Sequence, residues 1–261
     1  MAVAAVTTNP ILTNMEGPES SEAWQRQNSG SMSLTGTIYA TGVLLALVAS
    51  SAALSWKADM IYGQSQDRMM PILEVFLLCF PAPFLLVWLT IRNKAWSPIT
   101  APISAILQGT LLGYASAVFE YRFPGIVVQS VFLTIAIGFG LLVAYRTSLI
   151  RVGASSHRKL MAALCGVLLY YVANAILVLL HVRELPMLTA GIPGVAVSIA
   201  VVVIASVRLV ASFDAAVNGA NDRYPKYMDW YVALGLTVAL VWLYLETLVL
   251  LSKSKTAAVL N

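Results

Sequence analysis

The sequence predicts an all-α polytopic membrane protein, a bundle of seven transmembrane helices, and three observations support this fold class. Hydrophobic residues make up 59% of the 261 residues, charged residues make up only 11%, and the mean hydropathy is +0.80. A soluble domain carries about 25% charged residues and needs them to cover its surface. The apolar residues also fall into runs of about 20 residues, the length with which an α-helix crosses a bilayer.

Each predicted span is an apolar run that ends at polar or charged residues. The runs cover residues 34–56, 71–91, 99–119, 126–145, 160–180, 191–213 and 231–251. Because lipid offers no hydrogen-bond partners, each span must satisfy its own backbone as a helix. The loops between the runs are too short for a soluble domain. We therefore divide the chain into a disordered tail (1–33), a transmembrane domain (34–253) and a short C-terminal tail (254–261).

Prolines and glycines predict local geometry in the second and third spans. Pro81 and Pro83 predict a kink in the second span, because a proline inside a helix removes a backbone hydrogen bond. Gly109 and Gly113 form a GxxxG pair in the third span. Such a pair predicts that a neighbouring helix approaches closely.

The positive charges predict an orientation in the membrane, not a nucleic-acid-binding surface. The net charge is +4, but no basic stripe carries the interleaved aromatic residues of a nucleic-acid interface. Lys and Arg are more frequent in the tail and loops on the predicted side of the N-terminus. Since basic loops stay in the cytoplasm, this bias predicts a cytoplasmic N-terminus and a C-terminus on the opposite side.

No residue pattern predicts a metal centre, a disulfide or an active site. Cys79 and Cys165 lie in apolar runs, where we expect two buried small side chains without a disulfide. His157 and His181 lack the spacing of zinc ligands. No nucleophile–base set and no phosphate-binding loop is found. We expect neither enzymatic activity, nor a cofactor, nor a firmly bound metal.

Ionisable residues within the spans are the most informative candidates for function. Glu246 lies well inside the seventh run, Asp214 ends the sixth, and Arg208 precedes Asp214 by one to two turns. A carboxyl at mid-bilayer costs roughly 2.5–3.5 kcal/mol to insert. Such a group can respond to pH, bind a cation or relay a proton, and we favour function for Glu246. Arg208 is more simply explained by snorkelling, and Glu74 by its place at a helix start.

Several stretches of the chain resemble the bacterial branch of the Bax inhibitor-1 family, also called transmembrane Bax inhibitor motif proteins. At the C-terminal end these stretches are SFDAA from Ser212, YPKYMDWY from Tyr224 and VWLYLETL from Val241. In the middle of the chain they are QGTLLG from Gln108, FEYRFPGIVVQ from Phe119 and AYRTSLIRV from Ala144. The resemblance covers about residues 32–253.

The resemblance implies that the last helix is central and that the protein lies in the bacterial inner membrane. It also implies a pH-sensitive cation pathway, chiefly a calcium leak, in which two acids of helices 6 and 7 share a proton. Asp214 matches the first acid in SFDA, and Glu246 matches the second in LYLETL, with Glu in place of Asp. Arg92 is the candidate for an arginine late in helix 2 that contacts this pair in relatives, with Arg208 as another possible partner.

The spacing of the two acids departs from the family pattern. They are 32 residues apart, and Glu246 would rise about 22 Å above the start of a helix that begins near residue 231. Asp229 is therefore kept as a second possible partner of Asp214. Our hypothesis is that both acids ionise at higher pH, repel each other and loosen helix 7. At lower pH they share one proton and the pathway closes.

Two other classes of function are compatible with the sequence. The protein could be a non-conducting modulator of a membrane-bound protease or another membrane protein, since some bacterial relatives are thought to act in this way. It could also be a secondary transporter that uses the acids as a proton relay. In each case the surroundings are the lipid bilayer, and Ca²⁺ is expected only as a permeant ion.

Overall fold

The computed structural model describes residues 30–62, 81–150, 160, 162–167, 169–173 and 191–260. Within these residues the chain forms seven α-helices. They are α1 (Leu34–Tyr62), α2 (Pro81–Arg92), α3 (Ser97–Arg122), α4 (Ile126–Arg146), α5 (Ala162–Ala173), α6 (Ile192–Asn221) and α7 (Met228–Leu260). Five of them are long and apolar enough to cross a membrane, while α2 and α5 are shorter apolar helices. The predicted all-α membrane fold is confirmed.

The last two helices extend beyond the apolar runs that predicted them. α6 continues to Asn221 instead of ending at residue 213, and α7 runs from Met228 to Leu260. Asp214 therefore lies about two turns inside α6 and not at its end. Residues 254–260, predicted as a tail, are helical. Hydropathy marks the apolar part of a helix, whereas backbone hydrogen bonding continues through residues such as alanine that favour the helix.

The last residues of the predicted N-terminal tail are packed against the turn between α6 and α7. The backbone N–H of Met32 donates to the Tyr224 carbonyl at 2.6 Å, and Ser31 forms an isolated β-bridge with Pro225. The Met32 side chain is only 3% exposed and belongs to the hydrophobic core between α6 and α7. Residues 30–33 are thus part of the fold, and the rest of the predicted tail lies outside the described residues.

α7 lies at the centre of the bundle and packs against α1, α3, α4 and α6. One side of α7 contributes Leu236 and Leu243 to a core cluster with Leu209 of α6. Another side contributes Ala233 to a second cluster, which contains Leu44 of α1 together with small residues of α3. The last helix is therefore central, as the resemblance implied.

α1 and α3 pack closely through the predicted glycine pair. A Cβ added at Gly109 would overlap Ser51 Oγ and the backbone oxygen of Val48, and one added at Gly113 would overlap Ser55 Oγ. The two backbones can approach this closely because glycine has no side chain. The predicted role of GxxxG is confirmed.

The kink expected at Pro81 and Pro83 stays a prediction, because the described part of α2 begins at Pro81 and the part of the span before it lies outside the described residues. One smaller expectation differs from the structure. Cys165 is exposed on α5 instead of buried, because it lies on a face that also exposes Leu169. Four residues considered above fall outside the described residues: Glu74, Cys79, His157 and His181.

Candidate functional site

Glu246 is a buried carboxyl on the central helix, with 4% of its surface exposed. Tyr171 of α5 donates its Oη–H to the carboxylate, with Oη 3.0 Å from both Oε1 and Oε2. Trp242 donates its Nε1–H to Oε1 at 2.8 Å. Trp242 precedes Glu246 by four residues and so lies on the same face of α7. An acceptor with two oxygens suits this pair of donors, because an ionised carboxylate only accepts hydrogen bonds.

A lysine lies further along the same helix. Lys253 follows Glu246 by seven residues, which is about 10 Å of helix rise. Its Nζ donates to Ser198 Oγ of α6 at 2.9 Å, and its charge acts electrostatically on Glu246. The environment of Glu246 is therefore built by α5, α6 and α7 together.

Two buried hydroxyl pairs connect α7 to its other neighbours near the level of Glu246. Thr247 Oγ1 is hydrogen bonded to Thr134 Oγ1 of α4 at 2.9 Å. Tyr244 Oη is hydrogen bonded to Ser116 Oγ of α3 at 2.8 Å. This part of α7 consequently makes polar contacts in several directions within an apolar bundle. Among the described residues, no three His, Cys, Asp or Glu side chains gather into a metal-binding group.

Asp229, the second possible partner of Asp214, caps the first turn of α1. Its Oδ1 accepts hydrogen bonds from the Ser33 backbone N–H at 3.1 Å and from Thr37 Oγ1 at 3.2 Å. A Cβ added at Gly36 would overlap the carboxylate. A carboxylate at a helix N-terminus satisfies free N–H groups and complements the helix dipole. Asp229 is only 5% exposed and has a structural task at this end of the bundle.

Asp214 and Glu246 lie at different heights of the bundle. Asp214 is half-buried, seven residues before the end of α6 at Asn221, or about 10 Å along the axis. Glu246 is 18 residues beyond Met228, or about 27 Å from the start of the adjacent, antiparallel α7. The two backbone positions therefore differ in height by about 16 Å. Proton sharing between the two acids stays a prediction, and in this conformation they do not lie at one level.

The two candidate arginines lie in different surroundings. Arg92 ends α2 at the surface, and its guanidinium lies over the ring of Trp88, 4.9 Å from the centroid. Arg208 is half-buried on α6, where its carbonyl oxygen accepts a hydrogen bond from Ser212. Asp214 follows Arg208 by six positions, so the two side chains leave different faces of α6. The partner roles suggested for both arginines stay predictions.

Three residues around Glu246, namely Trp242, Lys253 and Tyr171, were not predicted to belong to the site. Trp242 and Lys253 could have been found, because positions four before and seven after Glu246 share its helix face. Tyr171 could not have been found in this way, because its contact with Glu246 joins residues that are 75 positions apart. No local pattern records which residue of another span faces a given acid.

The fold and the buried acid define a polytopic helical membrane protein with a polar site in its core. The chain matches the family model described as Bax inhibitor 1 like over residues 9–256, and it belongs to the Bax inhibitor-1 family. No curated protein and no solved structure matches it significantly. The chain is thus a multi-pass membrane protein of that family, in agreement with the resemblance seen in the sequence.

Proposed function

We propose that this protein is a pH-sensitive cation leak pathway, with Ca²⁺ as the principal permeant ion, and that protonation of Glu246 gates it. The observation that carries the proposal is the position of Glu246, a buried carboxyl on the central helix with donors from two helices. Family membership supports the class of protein. A buried acid inside a bundle of spanning helices is costly, and such residues commonly mark ion or proton pathways.

The charge of Glu246 would control both cation entry and helix packing. When ionised, the carboxylate attracts a cation into the low-dielectric bundle, and both of its oxygens accept from Tyr171. When protonated, it no longer attracts a cation, and one oxygen becomes a donor. The contact between α5 and α7 then loses an acceptor. We therefore propose higher flux at higher pH and closure at lower pH.

Asp214 is proposed as a second acid of the same pathway, nearer the turn between α6 and α7. With a height difference of about 16 Å between them, two charges repel by no more than about 1 kcal/mol at an effective dielectric constant of about 20. Sharing one proton requires hydrogen-bond contact, so it would need a large displacement of α6 along α7. The proton switch in the present conformation is accordingly assigned to Glu246.

The test is Ca²⁺ flux into proteoliposomes between pH 6 and pH 8. We expect flux to rise with pH in the wild type and to lose its pH dependence in Glu246→Gln. Asp222→Asn is the matched control, because Asp222 is an exposed acid after α6. It should leave the profile unchanged. A wild-type pH profile in Glu246→Gln would refute the gating role of Glu246. Absence of flux from the pure wild-type protein would refute conduction and favour a non-conducting partner role.

A further inference from the structure

A basic surface lies at the end of the bundle where α3 and α7 begin. The turn between α2 and α3 contributes Arg92 and Lys94, and the turn between α6 and α7 contributes Arg223 and Lys226. All four side chains are exposed. We call these four residues the basic surface.

The two turns of the basic surface are held together by direct contacts. Ser97 Oγ at the start of α3 donates to the carbonyl oxygen of Tyr227, just before α7, at 2.7 Å. The Nζ of Lys94 lies over the ring of Tyr231, 5.8 Å from the centroid. Cations that are about 130 residues apart in the chain therefore belong to one continuous region of the folded protein.

Exposed aromatic and aliphatic side chains adjoin the basic surface. Trp88 is 52% exposed and Trp96 is 53% exposed, at the end of α2 and just before α3. Tryptophan at the end of a membrane span is typical of the level of the lipid headgroups. The apolar residues Phe84 and Leu85, about one turn before Trp88 in α2, and Ile99, three residues after Trp96 in α3, are also exposed. The region thus passes from cations, through indoles, to purely apolar side chains.

The charges of the two turns favour an anion. Among the described residues of the two turns, the one exposed acid is Asp222, which precedes Arg223, while Asp229 is buried and accepts hydrogen bonds from Ser33 and Thr37. We propose that the basic surface binds the headgroup of an anionic phospholipid, whose acyl chains lie along the exposed apolar residues of α2 and α3. Zwitterionic lipids fit less well, since their positive headgroup would face the same cations. This proposal does not depend on ion conduction.

The experiment measures lipid binding to the purified full-length protein in detergent by native mass spectrometry. Phosphatidylglycerol is the anionic probe and phosphatidylcholine is the zwitterionic one. The test variant is Arg92→Gln/Lys94→Gln. The matched control is Lys57→Gln/Arg122→Gln, which removes two exposed cations from the opposite end of the bundle. Each basic residue near a membrane surface contributes about a fivefold factor, so we expect phosphatidylglycerol binding to be about 30-fold weaker in the test variant, which lacks two of them.

The expected pattern is selective. The wild type and the control should bind phosphatidylglycerol more strongly than phosphatidylcholine. Phosphatidylcholine binding should be equally strong in all variants. Unchanged phosphatidylglycerol binding in the test variant, an equal loss in the control, or no lipid preference in the wild type would each overturn the proposal. If the test variant does not fold, Arg223→Gln/Lys226→Gln replaces it with the same expected loss. Wild-type binding of phosphatidylglycerol by that second variant would likewise overturn the proposal.

Discussion

Glu246 and Asp229 are both buried carboxyls on α7, and their surroundings give them different tasks. Asp229 accepts a hydrogen bond from the Ser33 backbone N–H at the start of α1, where a carboxylate complements the helix dipole. Glu246 accepts hydrogen bonds from the side chains of Tyr171 and Trp242, which belong to two different helices. A change of charge at Glu246 therefore alters contacts between helices. This makes Glu246 the stronger candidate for a switch.

Removing the hydroxyl of Tyr171 tests whether Glu246 is the switch. Tyr171→Phe removes a donor from the ionised carboxylate, and a hydrogen bond to a charged group contributes about 1.5–3 kcal/mol. We expect the midpoint of the flux–pH profile to move to higher pH by about one to two units. The measurement is the proteoliposome flux assay.

The neighbouring Tyr170 provides the control. Its Oη is buried without a hydrogen-bond partner in the described residues, so Tyr170→Phe should leave the midpoint unchanged. Equal shifts in the two variants would argue against a specific contact between Tyr171 and Glu246.

At the scale of elements, the sequence predicts the packing between helices better than it predicts the length of a helix. A close helix contact at Gly109 and Gly113 was predictable, because a glycine pair is a local pattern with a direct steric meaning, but the identity of α1 as the partner helix was not. The length of α6 could not be predicted, because the segment after residue 213 is polar enough to end an apolar run and is nevertheless helical. The position of Asp214 within α6 follows from this extra length.

Gly109→Ala tests the contact between α1 and α3. The new Cβ would overlap Ser51 Oγ and the Val48 backbone, so the helices must move apart, and we expect a loss of about 1–3 kcal/mol in unfolding free energy. Thermal unfolding in detergent is the measurement. Gly140→Ala on α4 meets no atom within 4 Å and should be neutral or slightly stabilising. The same melting temperature in both variants would contradict the close packing.

At the scale of the whole molecule, the first described residues are joined to the last two helices. Met32 is buried beside Gly219 and Tyr224, and Asp229 caps the start of α1. We call the contacts of Met32 and Asp229 the junction. These contacts tie the start of α1 to the start of α7. Any movement of α7 at this end must therefore also move or release α1.

Met32→Ala measures the strength of this junction. Removing a buried methionine side chain leaves a cavity, and the expected loss of unfolding free energy is about 2–4 kcal/mol. Leu34→Ala is the control, because Leu34 is 43% exposed and its loss should be below about 1 kcal/mol. The measurement is chemical unfolding. Equal losses of unfolding free energy in Met32→Ala and Leu34→Ala would mean that the junction does not stabilise the fold.

The sequence by itself determined the helical membrane fold, the close approach of a neighbouring helix at Gly109 and Gly113, and the presence of a costly acid in the last span. These follow from properties of single residues or of short patterns, such as transfer into lipid and the absence of a Cβ. Tertiary structure alone decided the ordering of residues 30–33, the relative heights of Asp214 and Glu246, and the contact with Tyr171. Such features depend on which distant helices become neighbours, because burial and hydrogen bonding are settled between spans and not within one.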